Sequence, residues 1–418
     1  MPGSLYRLLV VVFAPASCVT ATAPVGVPGV DTDGAGEAED AGATGGEGEV
    51  DAMTDPEREP GDGRFGVVVV DVQEAFVAGA VDDDLDGIID RTGQLFALAE
   101  RHGLPFFITF EAATTGDHAL AAALRPLVPE HAMQFVKTTF DATGLPAFAD
   151  ALDASGLSRF VVVGSETDVC VLETVLGMRR LGYTVVLEED AVFSSEPNTG
   201  PALRRMTQAG VVLADSAQVT AFAERRAALP DAAARTVPRV TPGAVAIVLN
   251  HLDDAVVAGS SDRWKAQKLA RLRELLLISE WFDVPLYAQG PDAPELPAEL
   301  EGLIERAILP ASRLDDGVTQ LVVAGTDAGL DDLAGAQPGA RTLFLMEDAL
   351  VAASEPGDLR QVLEARYDSG DVPLTYKTFY YEMTATVAFE DWPADWIELD
   401  AEYYERTVAP EDLPPIDP

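Results

Sequence analysis

The sequence predicts an α/β protein in which a parallel sheet is covered by helices on both faces, with that unit built twice along the chain. Short β-branched runs alternate with longer amphipathic stretches through residues 64–230, the pattern of successive βαβ units. The runs are apolar throughout, as strands buried on both faces are. The same order of motifs then recurs after residue 240, at a spacing too long for a solenoid and suited to two domains.

In the first half, strands are expected at 66–71, 105–110, 133–136, 160–164, 184–188 and 211–213. Helices are expected at 84–102, 117–126, 146–155, 170–181, 199–209 and 216–228. Gly66-Val-Val-Val-Val70 runs into Asp71, which puts a carboxylate at the C-terminal end of a buried strand, where α/β sheets hold their ligands; a helix N-cap is the alternative role. Gln134-Phe-Val-Lys137 ends on a lysine in a chain of 24 arginines and four lysines, so the side chain itself is needed there, unless it is an exposed loop lysine. Arg159-Phe-Val-Val-Val163 leads into Gly164-Ser-Glu-Thr-Asp-Val-Cys-Val171. A cysteine at that strand-to-helix turn is either a small buried hydrophobe or a nucleophile whose thiolate is favoured by a helix N-terminus. Asp71 as base, Lys137 as cation and Cys170 as nucleophile form a chemically coherent set.

These motifs, with Lys137-Thr-Thr-Phe-Asp-Ala-Thr143, Gly182-Tyr-Thr-Val185 and Glu189-Asp-Ala191, resemble the isochorismatase-like cysteine hydrolases, which include nicotinamidase and N-carbamoylsarcosine amidohydrolase. The resemblance spans about Phe65 to Glu224. It implies a three-layer αβα fold with an open six-stranded parallel sheet and an Asp71–Lys137–Cys170 triad. It also implies an oxyanion hole from the backbone N–H groups of Glu166 and Cys170, beside a cis peptide between Ser165 and Glu166. The expected chemistry is cleavage of an amide or carbamoyl C–N bond of a small molecule through a thioester; a non-catalytic binding or scaffold protein of the same fold is the alternative. Nicotinamidases carry Asp and His metal ligands near the end of the second strand. Here that region reads Phe106-Phe-Ile-Thr-Phe-Glu-Ala-Ala113, and the four histidines, at 102, 118, 131 and 251, have no ligand spacing. No metal and no cofactor are expected.

The second half, 240–405, reads as a degenerate copy of the first, 64–230. Ala244-Val-Ala-Ile-Val-Leu-Asn250 mirrors the first strand, with Asn250 opposite Asp71. Gln320-Leu-Val-Val-Ala-Gly-Thr326 mirrors the fourth, with Leu330 or Asp331 opposite Cys170. Ile308-Leu-Pro-Ala311 mirrors the third, with Ala311 opposite Lys137. Base, cation and nucleophile are all missing, so this half is expected to pack against the first, and the whole chain to be capable of homo-oligomer formation.

A net charge of −42 opposes binding to nucleic acid or anionic membranes. Residues 1–63 include an acidic, Gly- and Ala-rich stretch expected to be disordered, and 406–418 is a short tail. The apolar run Leu8–Ala14 before Cys18 offers a lipoprotein-type leader at 1–18 as the alternative to a cytoplasmic protein. No segment reaches the roughly 20 apolar residues of a spanning helix. Two distant cysteines do not make a disulfide framework.

Overall fold

The computed structural model describes residues 64–385 apart from 83, 113–117, 197–198, 226, 228–236, 253–261, 291–299, 301–306, 335–340 and 352–357. The expectations for 1–63, for Cys18 and for 406–418 fall outside the described residues.

The first half comprises strands β1 (Gly66–Val70), β2 (Phe106–Glu111), β3 (Met133–Lys137), β4 (Arg159–Ser165), β5 (Thr184–Phe193) and β6 (Val212–Ala214). Its helices are α1 (Glu74–Gly79), α2 (Leu85–His102), α3 (Pro146–Ala154), α4 (Leu172–Arg180), α5 (Gly200–Gln208) and α6 (Ser216–Ala223). The second half holds β7 (Val245–Asn250), β8 (Leu286–Gln289), β9 (Leu309–Pro310), β10 (Gln320–Thr326), β11 (Thr342–Val351) and β12 (Val372–Leu374). With them run α7 (Asp262–Trp281), α8 (Leu330–Ala334), α9 (Asp358–Asp368) and α10 (Tyr376–Glu382). The first sheet is ordered β3-β2-β1-β4-β5-β6 and the second β9-β8-β7-β10-β11-β12, with every pairing parallel. The strand order reverses between β1 and β4, the switch point outside which open α/β sheets bind ligands. Among the described residues no helix is long and apolar enough to cross a membrane.

The first half follows the sequence closely, with three departures. The short helix α1 (Glu74–Gly79) is not among the expected elements. The described part of the Ala-rich stretch, 118–126, is not an α-helix. Its backbone is used by the chain leaving β1: Glu74 N donates to Ala119 O at 3.1 Å and Ala121 N to Val72 O at 2.9 Å. Only a 3-10 turn at Arg125–Leu127 remains, so tertiary hydrogen bonds override helix propensity. Strand β5 runs on through Glu188, Glu189 and Asp190 to Phe193, past a register shift against β4.

The two sheets share backbone devices that correct the sequence alignment of the halves. Val70 pairs with Gly164, and Asn250 with Gly325. Both glycines have positive φ (127° and 107°), and a Cβ on either would lie 2.0 Å from Val70 O or 2.4 Å from Asn250 O. Asn250 is therefore level with Val70. The residue at the Asp71 position is His251, and the two share left-handed φ values of 48° and 47°. The second strand simply runs one residue further, so matching polar Asn250 to polar Asp71 slips the register. By the same counting Asp331, exposed in α8, stands opposite Cys170. Tyr287 pairs with Leu309 as Phe107 pairs with Met133. Continuing that register brings Arg313, not Ala311, to the level of Lys137. There the chain has already left the strand in a 3-10 turn, and Arg313 is exposed.

One apolar cluster runs through both halves. It joins Val68, Val162, Val175, Leu176 and Met206 to Ile247, Leu249, Leu275, Phe344 and Phe379. The α4/α5 side of the first sheet thus meets the α7/α10 side of the second. Helices α2 and α6 belong to a separate cluster, as do α8 and α9. Since α7 follows β7 as α2 follows β1, the halves meet through different faces, a heterologous contact and not that of a two-fold dimer. At its centre Arg205 and Glu382 pair at 2.5 Å, both fully buried, with the guanidinium 5.6 Å from the Phe344 ring centroid.

Candidate active site

The order β3-β2-β1-β4 lays four chemically active side chains side by side at the strands' C-terminal ends. Lys137 ends β3, Glu111 ends β2, Asp71 follows β1, and Cys170 lies in the helical turn Thr167–Val171 between β4 and α4. β2 and β3 pair Glu111 directly with Lys137. Asp71 and Lys137 are fully buried and Cys170 is 1% exposed. The structure thus brings together the three residues singled out from the sequence.

Lys137 Nζ is the hub. It lies 2.7 Å from Asp71 Oδ2, and donates to Cys170 Sγ at 3.3 Å and to Thr139 O at 3.1 Å. Asp71 Oδ1 accepts from Thr109 Oγ1 at 2.7 Å. Burial alone would depress the lysine pKa, but Asp71, then Cys170 and Glu111, hold it above its ordinary value. The site therefore contains a fixed ammonium.

Glu111 is the residue the sequence reading passed over. Its Oε2 accepts a hydrogen bond from Cys170 Sγ at 3.3 Å, and Gln73 Oε1 accepts from its backbone N–H at 2.6 Å. Burial raises its pKa to about 7, with Lys137 opposing and Asp71 adding to the rise. The signal was present: an acidic residue closing the apolar strand Phe106-Phe-Ile-Thr-Phe-Glu111, as Asp71 closes the one beside it. Burial, against the pull of Lys137 and with the push of Glu111 and Asp71, raises the Cys170 pKa well above that of a free thiol. Burial and the hydrogen bond to Glu111 thus favour the Cys170 S–H over the thiolate, against the pull of Lys137.

Asp71, Glu111 and Cys170 also offer ligand atoms within 4.8 Å of one another. The Lys137 ammonium sits against two of the three and already supplies their positive charge, so the donor set suits a lysine better than a divalent cation. The peptide between Ser165 and Glu166 is cis. The next turn is closed by Val169 N and Val171 N donating to Glu166 O at 3.1 and 3.0 Å.

This chain is similar to several known proteins. Residues 66–218 match the isochorismatase domain family. A streptothricin hydrolase from Streptomyces noursei is 30% identical over 188 residues, which is 42% of this chain and 65% of the relative's length. Among solved structures, the YcaC gene product of Escherichia coli, an octameric hydrolase of unknown specificity, is 26% identical with a TM-score of 0.37, covering 39% of this chain and 80% of that one. A nicotinamidase from Staphylococcus aureus is 21% identical with a TM-score of 0.32, covering 36% and 96%. Over residues 66–218, then, this chain is similar to the isochorismatase-like superfamily.

Proposed function

We propose that the protein is a cysteine-dependent hydrolase that cleaves an amide or carbamoyl C–N bond of a small molecule at Asp71, Lys137 and Cys170. The observation that carries this reading is the Cys170 thiol held between a buried ammonium and a buried carboxylate. Sγ attacks the carbonyl carbon as its proton passes to Glu111, the carboxylate to which it is already hydrogen-bonded. Lys137 stabilises the emerging thiolate, and Asp71 keeps Lys137 charged and in place. This moves the first proton transfer from Asp71, the base the family resemblance implies, to Glu111. The oxyanion of the tetrahedral intermediate is received by the N–H groups of Glu166 and Cys170; one such donor is typically worth roughly 3 kcal/mol. The C–N bond then breaks as Glu111 returns the proton to the leaving amine, giving a thioester. Water attacks the thioester, Glu111 takes its proton, and the acid departs as the thiol is re-formed.

The relative named as a streptothricin hydrolase supports a hydrolytic activity. We read residues 64–230 as the active domain and 240–405 as a degenerate copy, in view of the matching strand order and left-handed strand ends. Metal-independence belongs to the same reading, because Lys137 fills the role a cation would play.

The test is a screen of amides and ureides by ammonia release, with and without EDTA. The wild-type chain is expected to turn over at least one class, unaffected by chelation, and Cys170→Ala to lose that activity while keeping its fold. Turnover that survives Cys170→Ala would end the proposal. Loss with EDTA and recovery with zinc would end the metal-independent part of it.

A further inference from the structure

Away from the reacting groups, a buried cluster of charged side chains joins the two halves beside the segment that leads to Cys170. Lys377, in the first turn of α10, is one of the chain's four lysines and is 5% exposed. It reaches across into the segment that precedes Cys170. Its Nζ lies 2.8 Å from Glu166 Oε2 and 3.3 Å from Asp168 Oδ1, and donates to Ser194 Oγ at 3.2 Å and Ser195 Oγ at 3.1 Å. Its neighbour Thr378 donates from Oγ1 to Asp168 O at 3.2 Å. From the first half, Ser194 Oγ donates to Asp168 Oδ1 at 2.6 Å and Ser195 N to Glu166 Oε1 at 3.2 Å. A second strut stands beside the first: Tyr376 Oη donates to Glu196 Oε1 at 2.7 Å, and Arg271 reaches Glu196 Oε2 at 3.1 Å.

The position of this contact gives it meaning. Glu166 follows the cis peptide, and Glu166 to Cys170 is the stretch whose N–H groups would receive the oxyanion. Glu166, partly buried, and Asp168, buried, stand two positions apart in that stretch, where like charges repel each other and oppose negative charge forming nearby. Burial works against ionisation of Glu166, yet Lys377, by charge and hydrogen bond, and Ser195 bring its pKa below the ordinary carboxyl range. Among the described residues the cation beside Glu166 and Asp168 is the Lys377 ammonium, which comes from the second half.

We propose that Lys377 is a positioning residue for the oxyanion-binding segment Glu166–Cys170, so that the second half, without a nucleophile of its own, completes the active site of the first. The proposal rests on the cysteine-hydrolase reading above.

The test uses the full chain and two probes. p-Nitrophenyl acetate acylates a cysteine through an oxyanion, whereas iodoacetamide alkylates it without one. Lys377→Met is expected to lower the limiting acylation rate by about tenfold or more, the scale of a misplaced oxyanion donor. The half-saturating concentration and the Cys170 alkylation rate should stay within about twofold. Lys377→Arg, which keeps the charge, should restore most of the acylation rate. Acylation at the wild-type rate in Lys377→Met overturns the proposal, as does an equal fall in acylation and alkylation, which would mark general loosening. Should Lys377→Met fail to fold, Thr378→Val carries the test, with a fall of about threefold in acylation alone expected from a lost positioning hydrogen bond and no change overturning the proposal. If wild-type Cys170 alkylates but never acylates, the hydrolase reading itself has failed, and this proposal goes with it.

Discussion

The two halves share a backbone and differ in what it carries. In each, a residue with φ near 50° follows the central strand, and a positive-φ glycine on the neighbouring strand packs against that strand's last carbonyl. The adjoining strand pair shifts register in the same place, between Val162 and Gly164 and between Val323 and Gly325. Within β5 and β11 an aspartate accepts from the first N–H of a later helix: Asp190 from Ser216 N of α6, and Asp348 from Tyr376 N of α10. The side chains then diverge. The first half places Asp71, Lys137 and Cys170 on these devices, where the second places His251, exposed Arg313 and exposed Asp331. Backbone geometry at the switch point is thus a requirement of the fold, and the triad is an addition to it. The second half has kept the first and, on our reading, exchanged the second for an interface.

The largest effect should come from separating the halves. A chain ending at residue 235 loses the partners of Arg205, Glu166 and Asp168 along with half of a continuous apolar cluster. A buried charge left unpaired costs about 3–5 kcal/mol, so the fragment is expected to aggregate or self-associate in size-exclusion chromatography with light scattering. A monomeric, fully active fragment would reduce the second half to a tethered neighbour.

A smaller effect bears on the first half. The acceptor of the thiol proton must be ionised, so wild-type acylation should climb through about pH 7, where Glu111 loses its proton, and fall roughly tenfold per pH unit below it. Glu111→Gln should lose this limb and run about 10- to 100-fold slower at pH 8. An unchanged limb in Glu111→Gln would return the role of base to Asp71.

The smallest effect concerns the second half. His251→Ala alters the residue level with Asp71, yet acylation at Cys170 should stay within about twofold of wild type. A fall of tenfold or more would show that the second half holds chemistry of its own.

Much of this was legible in the sequence. Apolar runs such as Gly66–Val70 and Arg159–Ser165 are strands wherever they occur, because their burial is continuous. Asp71 and Lys137 stood out because each closes such a run with a charged group, and Cys170 because it is a thiol at the turn that follows one. What stayed hidden depended on distant partners. The stretch 118–126 is drawn off its helical preference by hydrogen bonds to residues 72–74. Lys377 lies among aromatic residues, and its carboxylate partners are about 200 positions away, so no local pattern marks it. The slip that matched Asn250 to Asp71 has a related cause: strand register is set by pairing with neighbours, and one polar residue at a strand end does not reveal it.

The central claim is that Cys170 is the nucleophile. Its most direct test is the intact mass of the full chain quenched during turnover of p-nitrophenyl acetate, followed by peptide mapping. The account predicts one acetyl adduct on the peptide carrying Cys170, absent in Cys170→Ser as a thioester and slower to form at low pH. No adduct, or one confined to another residue, would contradict it.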